Sequence, residues 1–132
     1  MTLLEILVAI GVLGLITGLA FPELGHLRQG AVFRQANSLL ASDMRWAHAT
    51  AMRTDSDVIM VVGRNGRFYG IGNGRIRDLP DGMEVRARNV RELRFFGDGT
   101  TSGGSLILIG FQRRAALSVD PTTGNVVLEG AR

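Results

Sequence analysis

The sequence predicts an α+β fold, one long N-terminal helix followed by a domain of antiparallel sheet, and three observations carry that prediction. Residues 1–21 (MTLLEILVAIGVLGLITGLAF) form an apolar run with a single ionisable side chain, Glu5. Apolar or small residues then recur in steps of three and four through Leu24, Leu27, Phe33, Ala36, Leu40, Met44, Ala47 and Ala51, which is the period of one helix face. Beyond Thr54 the period falls to two and turn residues multiply, thirteen of the eighteen glycines lying after Val62.

The first element is long enough to cross a bilayer. At about 1.5 Å per residue the run measures roughly 31 Å, against a hydrocarbon core of about 30 Å. An ionised acid placed there costs roughly 2.5 to 3.5 kcal/mol, so Glu5 calls for a partner. No Lys, Arg or His lies in the run. The nearest positive charge is the α-amino group of Met1, in the same chain or in a neighbouring copy, and a self-complementary ion pair between subunits follows. A cleaved secretory signal needs a basic leader, a shorter apolar stretch and a small-residue cleavage site; this run is too long and begins too abruptly. An ordinary anchor helix has no reason to retain Glu5.

The second element is an amphipathic helix over residues 22–52, continuous with the first, whose apolar stripe is expected to cover a sheet. Gly11, Gly14 and Gly18, spaced by three and four, let helices approach closely, while Gly14, Gly18 and Pro22 weaken the intervening turns. The predicted organisation is a stem over 1–52, divided into an anchor (1–21) and an amphipathic half (22–52), and a β-rich head over 53–132.

The stretch Met1-Thr2-Leu3-Leu4-Glu5-Ile6-Leu7-Val8-Ala9-Ile10, followed by Gly14 and Pro22, resembles the mature N-terminus of type IV pilins and of the pseudopilins of type II secretion. The resemblance implies that a prepilin peptidase removes a leader ending in Gly, that Met1 is then N-methylated, and that Glu5 guides each subunit into a growing filament by pairing with the Met1 amine of a neighbour. Leu3, Leu4, Ile6, Leu7, Val8, Ile10 and Leu13 would pack helix on helix in the filament core. It also implies that helix is lost over residues 14–21 on assembly. Two features depart from the family: no leader precedes Met1, and the first residue is Met where Phe is usual. Met1 is therefore either the processed first residue or an initiator.

The head is read as a meander of strands at 58–62, 67–71, 83–87, 93–96, 105–111, 115–119 and 125–129. Asn65-Gly66, Asn73-Gly74, Asp81-Gly82 and Asp98-Gly99 supply the positive φ angles of tight turns. No solenoid repeat or low-complexity tract is present. The segments LRFFGDGTTSGGSL (93–106) and LSVDPTTGNV (117–126) resemble the H-type minor pseudopilins and the FimT-like minor pilins. That resemblance implies a β-sandwich or paired sheets on the helix and a role near the tip of a short periplasmic filament, with an inner-membrane platform and a cytoplasmic ATPase as assembly partners. Before assembly the chain would be a single-pass protein of the bacterial inner membrane with its head in the periplasm.

Composition allows one modest core beyond the apolar run, since 132 − 21 leaves 111 residues. The absence of cysteine excludes disulfides and thiolate metal sites. All fifteen basic residues are Arg and the formal net charge is +3, which permits anionic partners without requiring them.

Motifs with chemical potential read better as structure, so no cofactor, metal or catalytic residue is predicted. Asp55-Ser56-Asp57 lacks the further acids and Gly of a calcium loop and reads as a turn. The loop around Asp98 lacks an acidic cluster. Gly70-Ile71-Gly72-Asn73-Gly74 is a hairpin tip without the helix that a nucleotide loop requires. His26 and His48 read as polar-face residues of the stem. Trp46 and Tyr69 are expected in core or subunit contacts.

Arg75 with Arg77, and Arg86 with Arg88, would share strand faces, either as an electropositive strip or as a solvated face balanced by Asp78, Asp81, Glu84 and Glu92. Because some FimT-like pilins bind DNA through basic residues near the C-terminus, Arg113, Arg114 and Arg132 are candidate nucleic-acid contacts. The functional expectation is a non-enzymatic filament subunit, an H-type pseudopilin of type II secretion. The alternatives are the principal subunit of an extracellular filament acting in adhesion, motility or conduction, a DNA-binding minor pilin of an uptake pilus, and a membrane-anchored enzyme.

Overall fold

The computed structural model describes residues 2–72 and 74–131, with the side chains of 20–24 and of 131 left undescribed. A single helix, α1 (Leu3–Thr54), is followed by β1 (Val58–Val62), β2 (Phe68–Ile71), β3 (Arg75–Asp78), β4 (Met83–Arg88), β5 (Glu92–Phe95), β6 (Gly104–Gly110), β7 (Arg113–Val119) and β8 (Val126–Ala131). The chain divides into two units, Met1–Ala31 and Val32–Arg132.

In the first unit, Thr2 caps α1, its carbonyl accepting from the amides of Glu5 (3.1 Å) and Ile6 (3.3 Å). Thr17 Oγ1 donates to the carbonyl of Leu13 at 2.6 Å, so this hydroxyl is satisfied within the helix. Among the described residues no helix is long and apolar enough to cross a membrane.

In the second unit, Phe33, Ala36, Leu40, Met44, Ala47 and Ala51 form the buried stripe of α1. Leu27, counted in the sequence stripe, is instead 68% exposed, because burial of the stripe begins only inside the second unit. The helix ends in a left-handed cap: Asp55 has φ 48°, and the amide of Ser56 returns to the carbonyl of Ala51 at 3.2 Å.

The head is not a single meander. It contains two four-stranded antiparallel sheets, ordered β3-β2-β1-β5 and β4-β6-β7-β8. The chain leaves the first sheet at the Pro80–Gly82 turn, lays down β4, and returns as β5 to pair with β1, Met60 opposite Leu93. Alternate residues point inward: Val58 and Met60, Tyr69 and Ile71, Leu93 and Phe95 in the first sheet, and Val85, Leu106, Leu108, Ala115, Leu117 and Val119 in the second. Together with the α1 stripe they make one core.

Strand β3 is absent from the sequence expectation. Its four residues, Arg-Ile-Arg-Asp, offer no apolar alternation, and the one apolar member, Ile76, is 63% exposed. It is an edge strand held by pairing to β2, Tyr69 opposite Arg77.

Candidate assembly site

Every large apolar side chain of the stem between Leu3 and Leu19 is exposed, from Ile6 at 47% to Leu3 at 79%. Leu3, Leu4, Ile6, Leu7, Val8, Ile10 and Leu13 are all in this set. Among the described residues of the first unit nothing covers them, and a contiguous apolar surface of this length marks an interface with lipid or with other chains. Glu5 sits in the first turn, at the third helical position. Thr2-Leu3-Leu4-Glu5 is a capping-box spacing, and Thr2 Oγ1 accepts from the Glu5 amide at 3.4 Å. The carboxylate also lies at the positive end of the helix dipole. Among the described residues the Glu5 carboxylate takes part in no ion pair. Met1 lies outside the described residues.

A Cβ built on Gly11, Gly14 or Gly18 meets nothing within 4 Å, so no contact within the chain explains these glycines. Pro22 lies within the span of α1 and has no N–H to offer the carbonyl four residues back, that of Gly18.

In the head, α1 is fastened to the first sheet by polar contacts that the sequence reading missed. Asp43 is 4% exposed and accepts hydrogen bonds from Tyr69 Oη (2.8 Å) and Arg77 Nε (3.1 Å). Burial first, then the Asp43 contact, push the Tyr69 hydroxyl well above its ordinary range, so it remains a proton donor. Arg75 stacks over the Trp46 ring, its guanidinium carbon 4.7 Å from the centroid. Arg75 and Arg77 therefore face α1 while remaining partly exposed to solvent.

His48 is likewise not a free polar-face residue. It is partly buried, its Nε2 lies 2.8 Å from the carbonyl oxygen of Gly99, and its ring packs at 6.2 Å from that of Phe95. Gly124 (φ 70°) presses against the same ring, leaving no space for a Cβ. One imidazole thus joins α1 to the 97–100 and 120–125 turns. His26 is exposed.

Asp55 and Asp57 form the expected turn, and Asp57 reaches Arg94 at 3.6 Å. Asp98 accepts from Thr100 Oγ1 and the Thr100 amide, and those two bonds hold its carboxyl below the usual range. Asp120 is lowered in the same way by the amides of Thr123 and Thr122. Among the described residues no three His, Cys, Asp or Glu side chains converge. Arg113 and Arg114 are exposed at the start of β7, while Arg132 and Asn73 lie outside the described residues.

An N-terminal helix carrying antiparallel sheets, with its first third bare and apolar, defines a pilin-like fold. The type IV minor pilin FimU of Pseudomonas aeruginosa superposes with a TM-score of 0.61 at 17% identity, over 74% of this chain and 92% of that one. The minor pseudopilin EpsH from the type 2 secretion system of Vibrio cholerae gives a TM-score of 0.61 at 9% identity, over 74% and 95%. In sequence, the chain is 28% identical to the type II secretion system protein H of Xanthomonas campestris pv. campestris, over 95% of this chain and 79% of the relative. No family model matches the chain. In fold the chain is similar to these minor pilins and pseudopilins, and in sequence it is similar to a type II secretion system protein H.

Proposed function

We propose that the chain is a structural subunit of a pilus-like filament, an H-type minor pseudopilin of a type II secretion system. The observation that carries this is the bare apolar helix with one acid in its first turn. In this account residues 1–21 anchor the subunit in the inner membrane with the head in the periplasm. A prepilin peptidase exposes and methylates Met1, and an inner-membrane platform driven by its ATPase moves the subunit into the filament. There Glu5 pairs with the Met1 amine of the neighbour, removing two charges from an apolar environment where each alone is expensive. Leu3, Leu4, Ile6, Leu7, Val8, Ile10 and Leu13 supply the helix-on-helix contact.

The secretion reading is preferred to a surface pilus because the sequence relative, which aligns over most of the chain, is a secretion protein H. Replacing Glu5 tests the pairing. Glu5→Ala is expected to abolish incorporation into sheared filaments while leaving the membrane pool unchanged, and Glu5→Asp to retain part of it. Normal incorporation of Glu5→Ala would overturn the pairing role.

A further inference from the structure

Each sheet has two edges, and three of the four are blunted by charge. Strand β3 carries Arg75, Arg77 and Asp78, β4 carries Glu84, Arg86 and Arg88, and β5 carries Glu92 and Arg94. Such side chains discourage a second chain from pairing. Two of these edges are also capped, the Val85 amide of β4 donating to the carbonyl of Gly66 and the Ser102 amide to the carbonyl of Arg94 on β5, both at 2.8 Å. The fourth edge, β8, reads Val-Val-Leu-Glu-Gly-Ala, with Glu129 as its single charge.

The parity of β8 shows which of its backbone groups face outwards. The amide of Asp120 donates to the carbonyl of Asn125 at 3.0 Å, so the residues in step with Asn125, namely Val127 and Glu129, turn their N–H and C=O towards β7. Val126 and Leu128 turn theirs away from the sheet. Apolar side chains flank these groups on both faces, Val127 at 53% exposure on one and Leu128 at 51% on the other. Leu128 lies in register with Leu117 and Leu106, both 1% exposed, so the apolar row of the core runs one strand further than its burial.

We propose that β8 accepts an extended segment from the head of a different subunit in the same filament, added as a further antiparallel strand with an apolar residue opposite Leu128. Donors and acceptors side by side at alternate residues match an extended polypeptide backbone, and the apolar side chains on both faces disfavour a charged segment. A second copy does not fit. Pairing β8 with itself needs a two-fold axis normal to the sheet, which reverses α1 in the second head, whereas subunits anchored in one membrane run the same way. One added strand brings few hydrogen bonds and little buried area, so on its own it binds at about millimolar strength. Packed stems would hold neighbouring heads at a comparable effective concentration, which makes a neighbour the occupant that can use this edge. The choice of occupant rests on the filament reading; the open edge does not.

Hydrogen exchange of the full chain, resolved to single amides in detergent micelles and in sheared filaments, tests the proposal. In micelles the Val126 and Leu128 amides are expected to exchange freely and the Val127 amide slowly. In filaments the first two are expected to slow about tenfold. Benzoylphenylalanine in place of Val127, activated by light, is expected to join the chain to a different filament subunit. Leu128→Pro, which removes an outward N–H and no bond to β7, is expected to lose that adduct, and Leu128→Ala to keep it. If Leu128→Pro fails to fold, the exchange comparison decides alone. Unprotected Val126 and Leu128 amides in filaments that contain the chain would overturn the proposal. So would an undiminished adduct in Leu128→Pro, or an adduct to a second copy or to a protein that is not a filament subunit. A chain absent from filaments would overturn the filament reading and this occupant with it, whereas free exchange at Val127 in micelles would refute the edge geometry alone.

Discussion

Asp43 shows how one side chain organises the head. It lies three residues after Leu40 and four before Ala47, on the buried stripe of α1, so a charge on an apolar face was the available sequence signal. Its partners, Tyr69 and Arg77, come from strands far along the chain, and no local pattern announces them. Removing the carboxylate strands a buried phenol and loosens a half-exposed guanidinium. Asp43→Ala is expected to cost about 2 kcal/mol in urea unfolding, and Asp43→Asn less, because the amide oxygen still accepts from Tyr69. His48 was misread for the same reason: its partner, the Gly99 carbonyl, lies 51 residues away.

The raised Tyr69 pKa gives a pH dependence with a definite sign. The folded state keeps the phenol protonated while the unfolded chain loses that proton near the ordinary value of about 10. The stabilisation is complete below about pH 10 and falls as pH rises beyond it towards the folded value. Tyr69→Phe removes the titrating group, so its stability is expected to decline less steeply above about pH 10, although it starts lower because Asp43 has lost a donor. Equal slopes for the two proteins in alkaline urea melts would contradict the assignment.

At the scale of elements, the helix was legible and the small edge strand was not. The step of three and four is a strong signal, and from Phe33 to Ala51 each marked position is buried. The stripe gave no warning that Leu27 stays exposed, because periodicity reports a face and not what covers it. Most strands could be placed to within a residue or two from alternation and turn glycines. Strand β3 escaped because arginines that contact Trp46 and Asp43 of α1 look in sequence like a solvated face. Paired sheets were implied by the resemblance, but the order of strands within them was not legible, since it is set by long-range contacts such as Met60 against Leu93.

The glycines of the stem carry an element-scale prediction. With no neighbour to accommodate at Gly14 or Gly18, alanine there is expected to favour the isolated helix by about 1 kcal/mol per site. Amide-exchange protection between these positions should rise about fivefold per site in micelles. The same substitutions are expected to reduce filament incorporation, if residues 14–21 become extended on assembly as the resemblance implies. Unimpaired incorporation of the Gly14→Ala, Gly18→Ala double variant would argue against that melting.

For the whole molecule, the chain combines a head that satisfies its own core with a stem that leaves its apolar surface bare. The head needs no partner to bury Tyr69, Phe95 or Leu108. The stem does: its exposed Leu, Ile and Val side chains have no counterpart among the described residues of the first unit. The apolar character of the stem was readable from sequence, because hydropathy and the lone Glu5 belong to one short segment. The identity of what covers the stem was not readable, because lipid and a neighbouring stem are equally apolar. In the proposed account Glu5 separates them, since a carboxylate gains from a neighbouring amine and loses in hydrocarbon.

Quantitative mass spectrometry of filaments sheared from cells is the most direct test of that account, read for the abundance of this chain and for the mass of its N-terminal peptide. The account predicts a processed chain beginning with methylated Met1, present in small amount beside a more abundant pilin. A chain that dominates the filament would contradict the minor-subunit assignment, and one absent from filaments or carrying an unmodified Met1 would contradict the assembly mechanism itself.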